Sequence, residues 1–261
     1  MTGPSGAPVV GAPAPVHDWW PPSGVAPRGT LILLPGRGEH PLVYERFGRR
    51  LAADGYVVRA LGTAPDDPAE EVLARAADAA GPDPAVPVVL VGSDTGALQA
   101  LGTAASADLR LPVEGIIVAG AAPTGDAAGA PTESGTSAWD DELAARTACP
   151  AHRRRLSEDA DFERGRLTGP VPAGLLHDAR PGCPALILHG EADPVTPVDQ
   201  ARDLAARLPR ATLAVVHDGL HDVLNDASHR TTAAVIVLWL ERLRADPGLS
   251  PLLTVERGAA L

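Results

Sequence analysis

Three short segments of the 261-residue chain hold side chains that could do chemistry together. In the first, Gly92-Ser93-Asp94-Thr95-Gly96 follows the apolar run Pro87–Val91 and leads into Ala97 and Leu98 of an expected helix. Small residues on either side of a central one allow a strained strand-to-helix turn that lifts the central side chain above a sheet. That central residue is Asp94; the plainer reading is an aspartate that caps the helix. In the second, His189-Gly190-Glu191-Ala192-Asp193-Pro194 sets Asp193 just past an expected strand, where a turn-forming aspartate before proline is the competing reading. In the third, His217-Asp218-Gly219-Leu220-His221-Asp222 offers His221 on the loop after the last strand, with His217 as the alternate.

Nucleophile, acid and histidine in that chain order form a catalytic unit, and an aspartate in the first place decides its chemistry. A carboxylate is ionised at neutral pH and needs no base before it attacks. Against a carbonyl it would form an anhydride, whereas against an sp³ carbon bearing an epoxide oxygen or a halide it would form a stable ester. His221, oriented by Asp193, could then activate water to hydrolyse that ester. Ser93 is the alternative nucleophile, although the residue before the apex of such a turn normally points away from the pocket.

These segments need strands and helices to position them. Short β-branched apolar runs at Thr30–Leu34, Tyr56–Leu61, Pro87–Val91, Gly115–Ala119, Ala185–Leu188 and Thr212–Val216 read as strands. Amphipathic stretches at Leu42–Ala53, Ala69–Ala80, Thr95–Ala105, Val198–Leu208 and Ser228–Arg244 read as helices between them. The alternation predicts a parallel sheet covered on both faces, with a weaker pair of strands within Pro8 to Trp20. The rhythm breaks over residues 122–182, which hold polar helical segments around Trp139–Arg146 and Ala151–Arg164 and no convincing strand. A loop of that length in a compact domain suggests a cap inserted between two strands; a partly disordered insertion is the alternative. Its Arg153-Arg154-Arg155 run reads as a solvated face, or as a greeting for an anionic substrate. Residues 247–261 read as a loose tail, and the whole of 1–261 as one domain.

With these segments in place the chain resembles the α/β-hydrolase superfamily, most closely its monoacylglycerol lipase and lysophospholipase branch. The likeness is carried by Leu34-Pro35-Gly36-Arg37-Gly38-Glu39-His40 with Val43-Tyr44-Glu45, by Gly190–Thr196, and by Gly219-Leu220-His221-Asp222-Val223-Leu224-Asn225-Asp226. It spans roughly Val16 to Arg244 apart from the cap. It implies a mostly parallel eight-stranded sheet with helices on both faces, a lid over the pocket, Asp193 and His221 as the acid–histidine pair, and an oxyanion hole from the backbone N–H groups of Arg37 and Thr95. Two departures stand out: Pro35 where that branch has histidine, and Asp94 where the lipases have serine. Epoxide hydrolases and haloalkane dehalogenases on the same fold use aspartate there. Their auxiliary groups are not all matched, since Thr95 follows the aspartate where dehalogenases have tryptophan, and neither Tyr44 nor Tyr56 lies in the cap. Trp139 could supply an indole N–H, and His40 or His177 a proton.

Composition narrows the partners. The formal net charge is −11, and all 22 basic residues are arginine, with no basic stripe to neutralise phosphates. Nucleic acid is therefore not expected, nor is membrane insertion, because the apolar stretch Ala233–Leu240 is far short of the roughly 20 residues a bilayer requires. Cys149 and Cys183 sit in no metal or redox spacing, and Met1–Val16 lacks the features of a signal peptide, so a cytoplasmic protein with no cofactor and a small-molecule substrate is expected. The sequence is silent on oligomeric state. Three functions follow: hydrolysis of a small apolar electrophile through Asp94, His221 and Asp193; ester hydrolysis by Ser93 or activated water; or an inactive hydrolase-like binding protein.

Overall fold

Strands buried on both faces are apolar at every position rather than at alternate ones, and this sets the centre of the sheet. The computed structural model describes residues 16–124, 138–175 and 178–254. In it, β2 (Thr30–Leu34), β4 (Val88–Asp94) and β6 (Ala185–Gly190) are buried at every residue. Beside them run β3 (Val57–Leu61) and β5 (Val113–Ala121), with β7 (Ala211–Val216) half-buried along one edge and β1 (Val16–Trp19) along the other. The order is β1-β3-β2-β4-β5-β6-β7, parallel throughout except for β1 against β3.

The sheet described is thus seven-stranded, not eight-stranded as the resemblance implied. Of the two strands expected within Pro8 to Trp20, only β1 falls on described residues. Both β4 and β5 run longer than their apolar cores suggested, because their polar or small ends still find ladder partners: Ser93 pairs with Ala119 and Asp94 with Ala121.

Helices cover the two faces. Odd positions of β2 and β4, among them Leu31, Leu33, Val89 and Val91, pack with α1 (Glu45–Ala53) and α7 (His229–Ala245) through Phe47, Leu51, Ile236 and Trp239. Even positions, Ile32, Leu34, Val88 and Leu90, pack with α2 (Ala69–Ala80), α3 (Thr95–Ala105) and α6 (Val198–Arg207) through Val72, Ala76, Leu98, Leu101 and Ala201. The period-2 alternation of side chains across a strand makes this division. Between β5 and β6 the chain forms α4 (Ala138–Arg146) and α5 (Pro150–Glu158), followed by a short 3-10 turn at Ala173–Leu175. Residues 247–254 hold neither helix nor strand.

One consequence of the strand order matters for function. The chain runs from β2 outward to β3, crosses back over β2 to β4, and then proceeds the other way, so the connections leaving β2 and β4 part company. In open α/β sheets such a switch point, at the carboxyl ends of the strands, is where ligands bind. Here it brings Pro35-Gly36-Arg37 alongside Asp94. No helix among the described residues is long and apolar enough to cross a membrane.

Candidate functional site

Asp94 ends β4 with φ +50°, ψ −119°, a conformation that side chains other than glycine rarely adopt. The turn is possible because its flanks carry no side chain: a Cβ on Gly96 would lie 2.1 Å from the Leu34 carbonyl oxygen, and one on Gly92 would lie 2.1 Å from that of Gly96. Backbone strain of this kind is held by its surroundings and concentrates at functional sites.

The loops after β6 and β7 deliver the other two groups. Asp193 is fixed by N–H donors from Val195 (2.8 Å) and Thr196 (3.1 Å) to Oδ1, which leaves Oδ2 to accept from His221 Nδ1 at 2.9 Å. His221 is held through its own backbone, whose N–H donates to Ala145 O at 3.2 Å, and its Nε2 reaches Asp94 Oδ1 at 3.2 Å. The structure thereby brings Asp94, His221 and Asp193 into one chain of hydrogen bonds, exposed by only 1%, 1% and 7%.

Arg37 joins them in a way the sequence did not announce. Its backbone N–H, which the resemblance implied for an oxyanion hole, donates to Asp94 Oδ2 at 2.8 Å. Its side chain lies there too: Nε donates to Oδ2 at 2.8 Å and Nη2 to Oδ1 at 2.7 Å, a bidentate clamp, while Nη1 donates to Gly169 O at 2.6 Å. Thr95, buried, opens α3, where the first N–H groups lack helical acceptors.

Two cations and two carboxylates therefore share a buried site. Burial alone would raise the Asp94 carboxyl, but the Arg37 guanidinium holds it well below the usual carboxylate range, with His221 adding to the effect. Burial opposes Asp193 in the same way, and the charge of His221 overcomes it. Burial works against the charged ring of His221, yet Asp193 and Asp94 on either side push it up to about 10. Both ring nitrogens face carboxylates, as an imidazolium with two donors requires.

This linkage predicts a stability profile. The folded pKa of His221, about 10, lies above its ordinary 6.5, so the stability it contributes is full below pH 6.5 and is lost as pH rises towards 10. A rise that large makes the loss on the order of a few kcal/mol. The denaturation midpoint should fall from pH 6.5 to 10, and the wild-type-minus-His221→Gln difference should shrink over that window. A pH-independent difference would show that the ring is neutral.

A second charged layer lies behind the first. Arg146, at the end of α4 and fully buried, donates to Glu142 Oε1 at 3.1 and 2.9 Å and to Arg37 O at 2.7 Å, and sits 3.5 Å from Glu39 and 3.4 Å from Asp222. Glu39 accepts from Gly36 N–H at 2.8 Å and from the Tyr44 hydroxyl. Burial, with Asp222 nearby, raises Glu39 to about 7. His152 Nε2 meets Asp222 Oδ2 at 3.2 Å. The layer ties α4 to the turn after β2 and to the histidine loop, whose Asp222 N–H also donates to Arg146 O at 2.8 Å. Sequence reasoning missed these residues; the one available signal was Arg37 and Glu39, charged residues in a glycine turn between a buried strand and a helix.

Other expected participants are engaged elsewhere. Ser93, on the α1 side of β4, hydrogen-bonds with Tyr44. His40 Nε2 pairs with Asp159 at 3.0 Å. Trp139 packs on Phe162 with the Arg164 guanidinium over its ring, and His217 pairs at the surface with Glu191. His177 lies outside the described residues. Both thiols are free, and among the described residues no cluster of His, Cys, Asp or Glu could hold a metal ion. A cavity of about 470 Å³ lies to one side, lined by Pro65–Ala69, Gln99, Thr103 and Pro172 among others, and its lining includes none of the four charged groups.

A family model described as the alpha/beta hydrolase family matches residues 31–236. No curated protein sequence matches. Among solved structures, the monoacylglycerol lipase of Paleococcus ferrophilus is 20% identical with a TM-score of 0.67, over 88% of this chain and 98% of that one. A soluble variant of the monoglyceride lipase of Saccharomyces cerevisiae is 14% identical with a TM-score of 0.63, over 87% and 90%. A putative non-heme bromoperoxidase from Mycobacterium tuberculosis is 14% identical with a TM-score of 0.64, over 89% and 97%. At these identities the shared property is the fold.

Proposed function

The chain belongs to the α/β-hydrolase family, and from this we propose that it hydrolyses a small electrophile through a covalent ester on Asp94, with His221 and Asp193 activating water. One observation carries the proposal: a carboxylate, not a hydroxyl, occupies the strained apex, its Oδ1 3.2 Å from a histidine that is itself 2.9 Å from Asp193.

In the first half-reaction Asp94 Oδ1 attacks an sp³ carbon. A C–O bond forms, and the C–halogen or C–O bond of the substrate breaks with its electron pair leaving on the halide or epoxide oxygen. Attack consumes the negative charge of Asp94, so His221 keeps only Asp193 as a counter-charge and its affinity for the extra proton falls. The proton passes to the epoxide oxygen, or to solvent when halide leaves. In the second half-reaction the neutral ring takes a proton from water, and the hydroxide adds to Asp94 Cγ. The oxyanion develops at Oδ2, where the Arg37 N–H already points from 2.8 Å. Collapse returns the proton from His221 to the departing alcohol oxygen, and the carboxylic acid left on Asp94 then passes its remaining proton to His221 Nε2, 3.2 Å from Oδ1, which restores both the carboxylate and the protonated ring.

In this scheme residues 122–182 are the cap, joined to the turn after β2 by the Glu163 N–H to Gly38 O bond of 2.9 Å and the Arg37 bond to Gly169. Ester hydrolysis by Ser93 has less support, since the bond of Ser93 to Tyr44 sets it on the α1 side of the strand.

Multiple turnovers in ¹⁸O-water should place heavy oxygen in the Asp94 carboxylate, read by mass spectrometry of the peptide that contains it. Turnover without label at Asp94 would remove the covalent route. Absence of turnover across epoxides, haloalkanes and esters would leave the four charges as an ion-pair lattice on a hydrolase scaffold.

A further inference from the structure

Apart from steadying negative charge on the oxygens of Asp94, the side chain of Arg37 takes no part in that sequence of steps, yet it is buried against the atom that must react. Its Nε and Nη2 hold both oxygens of Asp94, and Nη1 rests on the neutral carbonyl of Gly169. With His221 also on Oδ1, that oxygen accepts two hydrogen bonds, and one must loosen before a lone pair can reach carbon.

Ester formation deepens the problem. It turns Asp94 neutral and strands two cations with Asp193 alone. His221 can respond by losing its proton; a guanidinium cannot, because arginine stays protonated in proteins. A buried charge whose partner is removed is strongly destabilising unless another partner takes its place. Among the described residues the nearest other carboxyl groups, Glu39, Glu142 and Asp222, already surround Arg146. The missing anion must therefore arrive with the substrate. A planar fork of N–H donors, one of them on a neutral carbonyl, best fits a carboxylate, whose charge-assisted bonds are roughly twice as strong as the one it would displace.

We propose that the electrophile carries its own carboxylate within a bond or two of the reacting carbon, as in a 2-halo acid or an epoxy acid, and that Arg37 binds it while Asp94 attacks. The substrate class rests on the Asp94 reading above; the anion site itself can be tested apart from it. Asp94→Asn removes the competing charge at nearly constant shape and leaves Arg37 in want of an anion. By NMR titration at pH 7, Asp94→Asn should bind propionate at least about ten-fold more tightly than the wild type does, should show no such gain for propionamide, and should lose the effect when Arg37→Met is added. Equal binding of acid and amide by Asp94→Asn would overturn the anion site.

Turnover gives the second arm. Wild type should prefer 2-chloropropionate to 2-chloropropionamide, and Arg37→Met, which keeps the backbone N–H, should lower that kcat/KM ratio by about 10- to 100-fold, the range of one charge-assisted bond. An Asp94 ester formed equally well from acid and amide would overturn the carboxylate inference and leave the nucleophile standing. An ester from neither, nor from a neutral epoxide or haloalkane, would overturn the nucleophile and the substrate class with it.

Discussion

His221→Gln is expected to stall the enzyme halfway. Steady-state hydrolysis should fall by about 10³- to 10⁴-fold, the scale on which a general base contributes with its orienting partner. Alkylation of Asp94 by a haloalkane needs neither a base nor the proton of His221, so one equivalent of such a substrate should still react and remain on the protein. Intact-mass spectrometry would show the alkyl increment, and peptide mapping would place it on Asp94. Glutamine suits the test because it is neutral and close in size, and Asp193 keeps its N–H donors from Val195 and Thr196 at 2.8 and 3.1 Å. A variant that turns over within ten-fold of wild type, or that never acquires the increment while wild type is active, would refute the division of labour.

The largest structural effect is expected at Arg146. Its guanidinium is fully buried and is the cation shared by Glu39, Glu142 and Asp222, and it also bonds the carbonyl of Arg37. Arg146→Met removes the charge while keeping much of the bulk, leaving three carboxyl groups without their common partner. Breaking a buried ion pair from one side costs about 3–5 kcal/mol, against typical total stabilities of about 5–15 kcal/mol. Urea denaturation should show a loss of that size or no cooperative transition at all. Acidification should recover part of it, because Glu39 is already held up to about 7 and will take a proton more readily once Arg146 is gone. A loss below about 1 kcal/mol would mean that water or rearrangement compensates the carboxyls. Arg146→Lys, which keeps the charge but not the fork, should fall between the two.

These expectations share a physical cause. Asp94 and His221 are useful only while their charges are balanced, and balance comes from side chains far apart in sequence. The Arg37–Asp94 contact spans 57 positions and the Arg146–Glu39 contact 107. In the free protein both ring nitrogens of His221 face carboxylates and Asp94 sits among four partners. Reaction has to upset that balance, and a substrate that brings an anion does so without stranding Arg37.

Much of this molecule was legible from its residues alone. Apolar runs such as Val88–Val91 and Ile116–Ala119, with no polar alternation, signalled strands covered on both faces, and the small-residue turn around Asp94 marked the bend that follows β4. The order of Asp94, Asp193 and His221 pointed to three groups meeting at one end of the sheet, because parallel strands deliver the loops after β4, β6 and β7 to the same edge. The number of strands was less legible, since the edge strand β1 is short and holds to the sheet by a single neighbour.

Tertiary structure alone decided what the three groups meet. Hydrophobic periodicity reports which face of an element is buried, but not which buried charge will lie against which. For Arg37 the family resemblance implied a role for the backbone N–H alone; its side chain could have pointed to solvent as most arginines do. Arg146, Glu142 and Asp222 read as ordinary polar positions on a helix and a loop until packing enclosed them. Local sequence dictates backbone shape through sterics and burial, whereas the pairing of ions depends on the three-dimensional separation of residues that no local rule connects.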